Sequence, residues 1–327
     1  MHEARPRDQA RDAGPQHAPA SPPPRPAEAG GTAPLRVWLL GGFRVAVGPR
    51  AVPDDAWERR KAAGLLKLLA LAPERRLHRE QALEALWPAL APEAAANNLH
   101  HTLHVARQLL EPARPPAAPS AYLALHGDLL VLCPAATLWT DVAAFTAAAG
   151  AARAGRDPAA HEAALRLYAG ELLPEDRYED WTLSRREALC DLALALLLEL
   201  VGLYEGRGDL PAALAACRRA LASEPAHEEA HVALMRLYAL SGERGRALRQ
   251  YQQLREALRR DLDVDPAPAA QRLYRQIWDG RFPARPAGEA APAARAAPPT
   301  NRPAEPTSFV GRERELADLA RLLDGGA

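Results

Sequence analysis

The 327-residue sequence predicts a mainly α-helical protein in two successive parts: a small α+β unit, then an array of paired helices. Three observations carry that prediction. Alanine and leucine dominate a chain that is 48% hydrophobic but only 5% aromatic, a composition that favours helix. Strand-like runs are read only before residue 134. Beyond it, helical segments follow one another with Gly or Pro at nearly every junction, among them Gly155, Gly170, Gly208, Pro211, Pro225, Gly242 and Pro266. The length itself allows about two domains at roughly 100–200 residues each.

Residues 1–34 carry eight prolines and no hydrophobic periodicity, so they are expected to be disordered. Leu35–Leu40 and Phe43–Val47 read as short strands around the Gly41-Gly42 turn. Trp57–Ala72 is a first helix with an apolar face from Leu65, Leu66, Leu68 and Leu69, and Pro73 stops it. His78–Leu86 is a second helix, stopped by Pro88, and Glu93–Leu110 a third, stopped by Pro112. Tyr122–Leu125 and Leu129–Leu132 then form a hairpin across His126-Gly127-Asp128, with glycine supplying the positive φ. Three helices with a short turn between the second and third, and a hairpin directly after, are a helix-turn-helix with a wing. The first domain is therefore a winged helix-turn-helix over residues 35–133.

The second domain spans residues 134–282. Its helices are expected at 141–154, 158–169, 178–206, 210–222, 227–241, 243–259 and 266–278. A 34-residue repeat runs through it: Leu197 and His231, Leu200 and Leu234, Leu203 and Leu237, Tyr204 and Tyr238, Gly208 and Gly242, Ala213 and Ala247. That is the tetratricopeptide (TPR) period, in which helical pairs stack because none can bury its face alone. Residues 283–306 carry seven prolines and read as a linker.

Charge and composition narrow the function. Lys+Arg and Asp+Glu are 41 each, which excludes a globally basic coat or an acidic tail. Residues 35–133 hold 12 basic against 9 acidic residues, net +3; residues 134–282 hold 19 against 22, net −3. The sign fits a nucleic-acid-binding first half. Three widely spaced cysteines make neither a metal pair nor a disulfide framework, so a reducing cytoplasm is expected. The longest apolar run is about seven residues where ~20 are needed to span a bilayer, and no membrane association is expected. No apolar h-region of a secretory signal is read in residues 1–34. Neither G-x-x-x-x-G-K-[ST] nor G-x-S-x-G occurs, so no enzyme activity and no cofactor are implied.

The third helix carries the sharpest functional signal. Leu99, Leu103, Ala106 and Leu110 share one face. At 100° per residue, Asn97, His101, His104 and Gln108 lie opposite, flanked by Asn98, His100, Thr102 and Arg107. No acid falls between Glu93 and Glu111. Such residues donate to base edges and phosphates without repelling the DNA backbone; the plainer alternative is a polar helix face. Arg59, Arg60 and Lys61 open the first helix, where cations oppose the helix dipole unless an anion sits in front of them. Alternatively they are a solvated cluster offset by Asp54, Asp55 and Glu58.

Two metal readings are weighed and set aside. His100 and His104 are spaced for chelation but lack a third ligand nearby. His227-Glu228-Glu229-Ala230-His231 matches H-E-x-x-H, yet in the 34-residue register His231 replaces Leu197, a core position. No metal site is expected.

At this point the residues resemble a known architecture. Residues 35–133 resemble an OmpR/PhoB-type winged helix. Residues 138–280 resemble the bacterial transcriptional activator domain: Trp139–Phe145 is similar to its D-x-x-x-F opening, and Leu262-Asp263-Val264-Asp265-Pro266 to its L-G-[IV]-[DE]-P signature, with Asp263 where glycine is usual. The layout resembles the SARP/AfsR-like regulators. His104-Val105-Ala106-Arg107-Gln108 stands where relatives carry an arginine run. Residues 307–327, with Phe309-Val310-Gly311-Arg312-Glu313, resemble the opening of a STAND-type ATPase domain, broken off before any phosphate loop.

The resemblance implies a cytoplasmic transcriptional activator that binds double-stranded promoter DNA. The third helix would enter the major groove, and the hairpin, with His126 at its tip, would probe the minor groove or backbone. It further implies two copies on direct repeats, the loop Trp87–Glu93 facing RNA polymerase, and contacts through the TPR-like domain to itself or another protein. A TPR-type adaptor whose winged helix no longer binds DNA is the competing reading.

Overall fold

The computed structural model describes residues 32–57, 60–115 and 118–283. Most of the proline-rich start, nearly all of the stretch expected to be a linker, the tail expected to open an ATPase-type domain, and Arg59 lie outside these residues.

The first half opens on an antiparallel meander, β1 (Leu35–Trp38), β2 (Arg44–Val47) and β3 (Arg50–Val52). A 3₁₀ turn, Asp54–Trp57, precedes α1 (Arg60–Leu71). Then come β4 (Arg76–His78), α2 (Arg79–Leu86), α3 (Pro92–Leu110), β5 (Leu123–His126) and β6 (Leu129–Leu132). The expected helices and the hairpin stand close to where the sequence places them. The short strands β3 and β4 are additions. β4 pairs with β6, so the wing is a three-stranded sheet in the order β4-β6-β5. α2 begins with a capping box in which the His78 ring accepts from Glu80 N and the Gln81 side chain accepts from His78 N.

The second half begins with a further strand, β7 (Leu138–Thr140), which pairs in parallel with β1, Leu35 opposite Leu138 and Val37 opposite Thr140. The N-terminal sheet is thus four-stranded, β3-β2-β1-β7, and its last strand comes from the other side of the expected boundary. Seven helices follow: α4 (Asp141–Gly155), α5 (Pro158–Leu167), α6 (Asp180–Gly206), α7 (Leu210–Ser223), α8 (Glu228–Leu240), α9 (Arg244–Asp261) and α10 (Pro268–Trp278). Side-chain caps from Thr140, Asp157, Asp209 and His227 start four of them.

The repeat is realised in the backbone. Gly208 and Gly242 turn the α6–α7 and α8–α9 corners with φ of +76° and +75°. At each corner the tyrosine 34 residues apart accepts the same bond, Asp209 N to Tyr204 O at 2.9 Å and Glu243 N to Tyr238 O at 2.8 Å. Ala213 and Ala247 are fully buried where the helices approach closely. The fold is a winged helix-turn-helix followed by stacked TPR-like pairs, with one hydrophobic core running through both halves.

Three devices join the halves. The buried Asp141 carboxylate accepts from Leu39 N, Leu40 N and Val142 N at 2.8–2.9 Å. Lys67 of α1, only 5% exposed, donates to Glu175 Oε1 at 3.0 Å and Asp176 Oδ2 at 2.5 Å, and its ammonium lies 4.7 Å from the Phe43 ring centre. The segment after α5 lies against the end of β1, with Gly41 N donating to Glu171 O and Leu173 N to Leu39 O. There a Cβ on Gly41 (φ +78°) would come within 3.1 Å of the Ala169 carbonyl oxygen. Arg186 fixes that segment by donating to the carbonyls of Leu172, Leu173, Asp176 and Arg177.

Candidate nucleic-acid interface

α3 is placed by its apolar stripe. Leu99, Leu103, Ala106 and Leu110 are all buried, as the spacing predicts. Pro92 occupies the first turn, where a missing N–H costs nothing. At the other end Arg50 of β3 donates to Leu109 O and Leu110 O at 3.0 and 2.7 Å, satisfying carbonyls that the helix leaves unpaired. The helix is therefore held at its C-terminal end and along one side.

The opposite side is open. Asn97, Asn98, His100, His101, His104 and Gln108 are exposed. Arg60 and Lys61, also exposed, stand at the N-terminus of α1. They share with Asn98 and His101 a cavity of about 360 Å³ closed by Trp87, Thr102 and Val105. The structure thus brings the cationic start of α1 beside the polar face of α3, residues some 40 positions apart in sequence. His126 is exposed at the wing tip. The wing is tied back to α2 by Arg79, whose N–H donates to Asp128 O at 2.8 Å and whose guanidinium pairs with the Asp128 carboxylate at 2.9 Å.

Two candidates sit differently from the expectation. Thr102 is buried at 6% exposure, because the stripe that packs inward is wider than the four residues that defined it. Arg107 is half-buried and turned away to the wing: its Nε donates to Leu123 O at 3.0 Å, joining α3 to β5. Burial and the neighbouring Arg114 lower its pKa, opposed by Glu111. It is a residue that positions the wing. The contacts of Arg50, Arg79 and Arg107 were not read from sequence, since each bonds to main chain or to a residue far along the chain.

The H-E-x-x-H residues have structural tasks. His227 caps α8, its Nδ1 accepting from Ala230 N at 3.3 Å. His231 is buried; its Nε2 lies 2.9 Å from Pro225 O and its Nδ1 2.7 Å from Gln250 Nε2. Both ring nitrogens are engaged, and burial lowers the His231 pKa, which favours the neutral ring. Among the described residues no group of three or more His, Cys, Asp or Glu is placed to hold a metal. No helix among them is long and apolar enough to cross a membrane.

Comparison with known proteins bears on the second half most directly. Residues 140–278 match the family model of the bacterial transcriptional activator domain. The structure of Mycobacterium tuberculosis EmbR, solved in complex with a low-affinity phosphopeptide, is similar to 75% of this chain with a TM-score of 0.61 and 24% identity. The chain spans 65% of that protein's length. At this identity the likeness is one of fold. The C-terminal TPR-containing domain of a Plasmodium falciparum FK506-binding protein matches 43% of the chain and is itself covered to 90%, at 13% identity and a TM-score of 0.31. A search of curated proteins finds no match.

Proposed function

We propose that this protein is a sequence-specific DNA-binding transcriptional regulator, an activator of the SARP type, working in the cytoplasm. The observation that carries the reading is the composite surface of α3 and α1. An exposed face of Asn, His and Gln without a carboxylate lies beside the exposed Arg60 and Lys61 at a helix N-terminus. In this reading Asn97, Asn98, His101, His104 and Gln108 face base edges in the major groove. Arg60 and Lys61, with Arg59 before them, hold the phosphate backbone, and His126 reaches it from the wing. The match of residues 140–278 to a transcriptional activator domain supports the regulatory role. Two copies on direct repeats, the Trp87–Glu93 loop toward RNA polymerase, and protein docking through the helical half complete the proposal. The residues assigned here carry recognition and no catalysis.

One observation favours the adaptor alternative. Arg107 is the only arginine of α3, and its guanidinium is engaged with the wing. A salt titration of duplex binding separates the two. A regulator loses affinity along a straight line in log salt, with a slope of about −0.9 per phosphate contact. An adaptor shows no saturable binding to a fragment selected from genomic DNA.

A further inference from the structure

α7, α8 and α9 enclose a second cavity, of about 490 Å³, lined by residues of the helical half alone. Arg218 comes from α7, and Arg246 and Arg249 from α9; all three are exposed. Tyr238 of α8 orders two of them. Its hydroxyl is 3.2 Å from Arg218 Nη2, and the Arg246 guanidinium lies over its ring at 5.7 Å. Arg246 is paired with Glu243 at 2.6 Å. Arg218 and Arg249 have no carboxylate within 4.0 Å among the described residues. Buried Leu234 and half-buried Leu221 give the groove an apolar floor, and Gln253 stands on its rim.

The positive charge of the groove is only partly offset within the chain. Arg246 stands in the first turn of α9 and pairs with Glu243 at the N-cap, whereas Arg218 and Arg249 line the groove without a carboxylate among the described residues. An anion in the groove would compensate them. Uncompensated positive charge is also out of character for this half, which is net −3.

We infer that this groove is a docking site for an acidic peptide segment of a partner protein, rich in Asp or Glu with an aliphatic residue between them. Guanidinium forks bind carboxylates with two parallel hydrogen bonds, and the leucine floor takes the aliphatic side chain. A DNA duplex suits the site less well. Its phosphates ride on a convex rod, while the arginines line a concavity within a net acidic half. The inference rests on the reading that the helical half docks other proteins.

The test uses the full chain and a fluorescein-labelled peptide of alternating Glu and Leu, followed by anisotropy. Binding should be saturable and weaken with salt. Arg249→Gln should weaken it several-fold and Arg249→Glu about tenfold or more. Arg185→Glu, at an exposed position on α6 outside the groove, should change nothing. Equal loss with Arg185→Glu, equal binding of a Lys–Leu peptide, or no binding at all overturns the inference. So does an Arg249→Glu variant that loses duplex DNA binding, since the groove would then be a nucleic-acid surface. If wild-type chain binds the peptide through Arg249 but no DNA, the regulator reading fails and the groove stands. Circular dichroism confirms that the variants are folded.

Discussion

The Asp141 carboxylate holds the Leu39 amide through both of its oxygens, each at 2.9 Å, across 102 positions of sequence. This contact joins the first turn of α4 to the end of β1 and sits in the core between the halves. Burial pushes the Asp141 carboxyl up from its ordinary 3.8 to about 6, against the amide bonds and Arg44, which favour the charged form. A folded-state value above the unfolded one gives stability that is full below the unfolded value and lost as pH rises through the folded one. Between about pH 4 and pH 6 the group therefore withdraws roughly 3 kcal/mol of stability. Asp141→Asn should flatten that part of the profile. Urea unfolding from pH 4 to 7 measures it; a wild-type minus variant difference independent of pH would contradict the assignment.

Lys67 predicts a coupling. Its ammonium is buried, but Glu175 and Asp176 keep 40% and 24% exposure and can rehydrate when it is removed. Lys67→Met should cost about 1–2 kcal/mol, less than breaking a fully buried pair. In a double-mutant cycle with Asp176→Asn the two losses should fail to add by about 0.5 kcal/mol or more. Strict additivity would mean the ion pair does not join the halves energetically.

Gly41 should tolerate no side chain. Its positive φ acts together with the Ala169 oxygen, which lies 3.1 Å from where a Cβ would stand. Gly41→Ala should lose about 2 kcal/mol or more. Gly150→Ala, inside α4 with nothing within 4 Å, should gain about 0.5–1 kcal/mol. Thermal unfolding of the two variants gives opposite signs if the close approach is real.

Asp263 departs from the glycine usual at its place in the signature, yet it adopts the glycine conformation, with φ +54°. Asp263→Gly should raise stability by about 0.5 kcal/mol, the relief of a left-handed L-residue less the added freedom of the unfolded chain. Asp263→Val should lower it by more. Equal melting temperatures for the three chains would remove the strain argument.

On DNA, Arg60→Gln and Lys61→Gln should each weaken binding to all sequences and reduce the salt slope by about 0.9. His101→Ala should instead cost ~1–3 kcal/mol on the preferred site alone. Titrations on specific and scrambled duplexes distinguish phosphate holders from base readers; identical losses on both would take His101 out of the readout.

Sequence periodicity reveals the long elements because they offer several turns to read. Leu99, Leu103, Ala106 and Leu110 announce the buried side of α3, and Gly208 and Gly242 announce equivalent corners. β3, β4 and β7 are three residues each, too short for a period of two to register. The exposed face of α3 was legible for the same reason as its core. Thr102 and Arg107 were not, because a helical wheel locates the direction of a side chain but not the width of the neighbour it meets. Lys67 lies on a helix face that reads as apolar, and only the fold brings Glu175 and Asp176 beneath it.

The parallel pairing of β1 with β7 has a practical meaning for anyone moving these modules between proteins. A winged-helix fragment cut at residue 133 would leave one side of β1 with unpaired amides and carbonyls, an invitation to self-association. It would also strip the Leu39 and Leu40 amides of their acceptor. A portable fragment has to carry Leu138–Thr140 and Asp141 with it. A chimera that exchanges the winged helix must take that strand from the same parent, or be grafted beyond it.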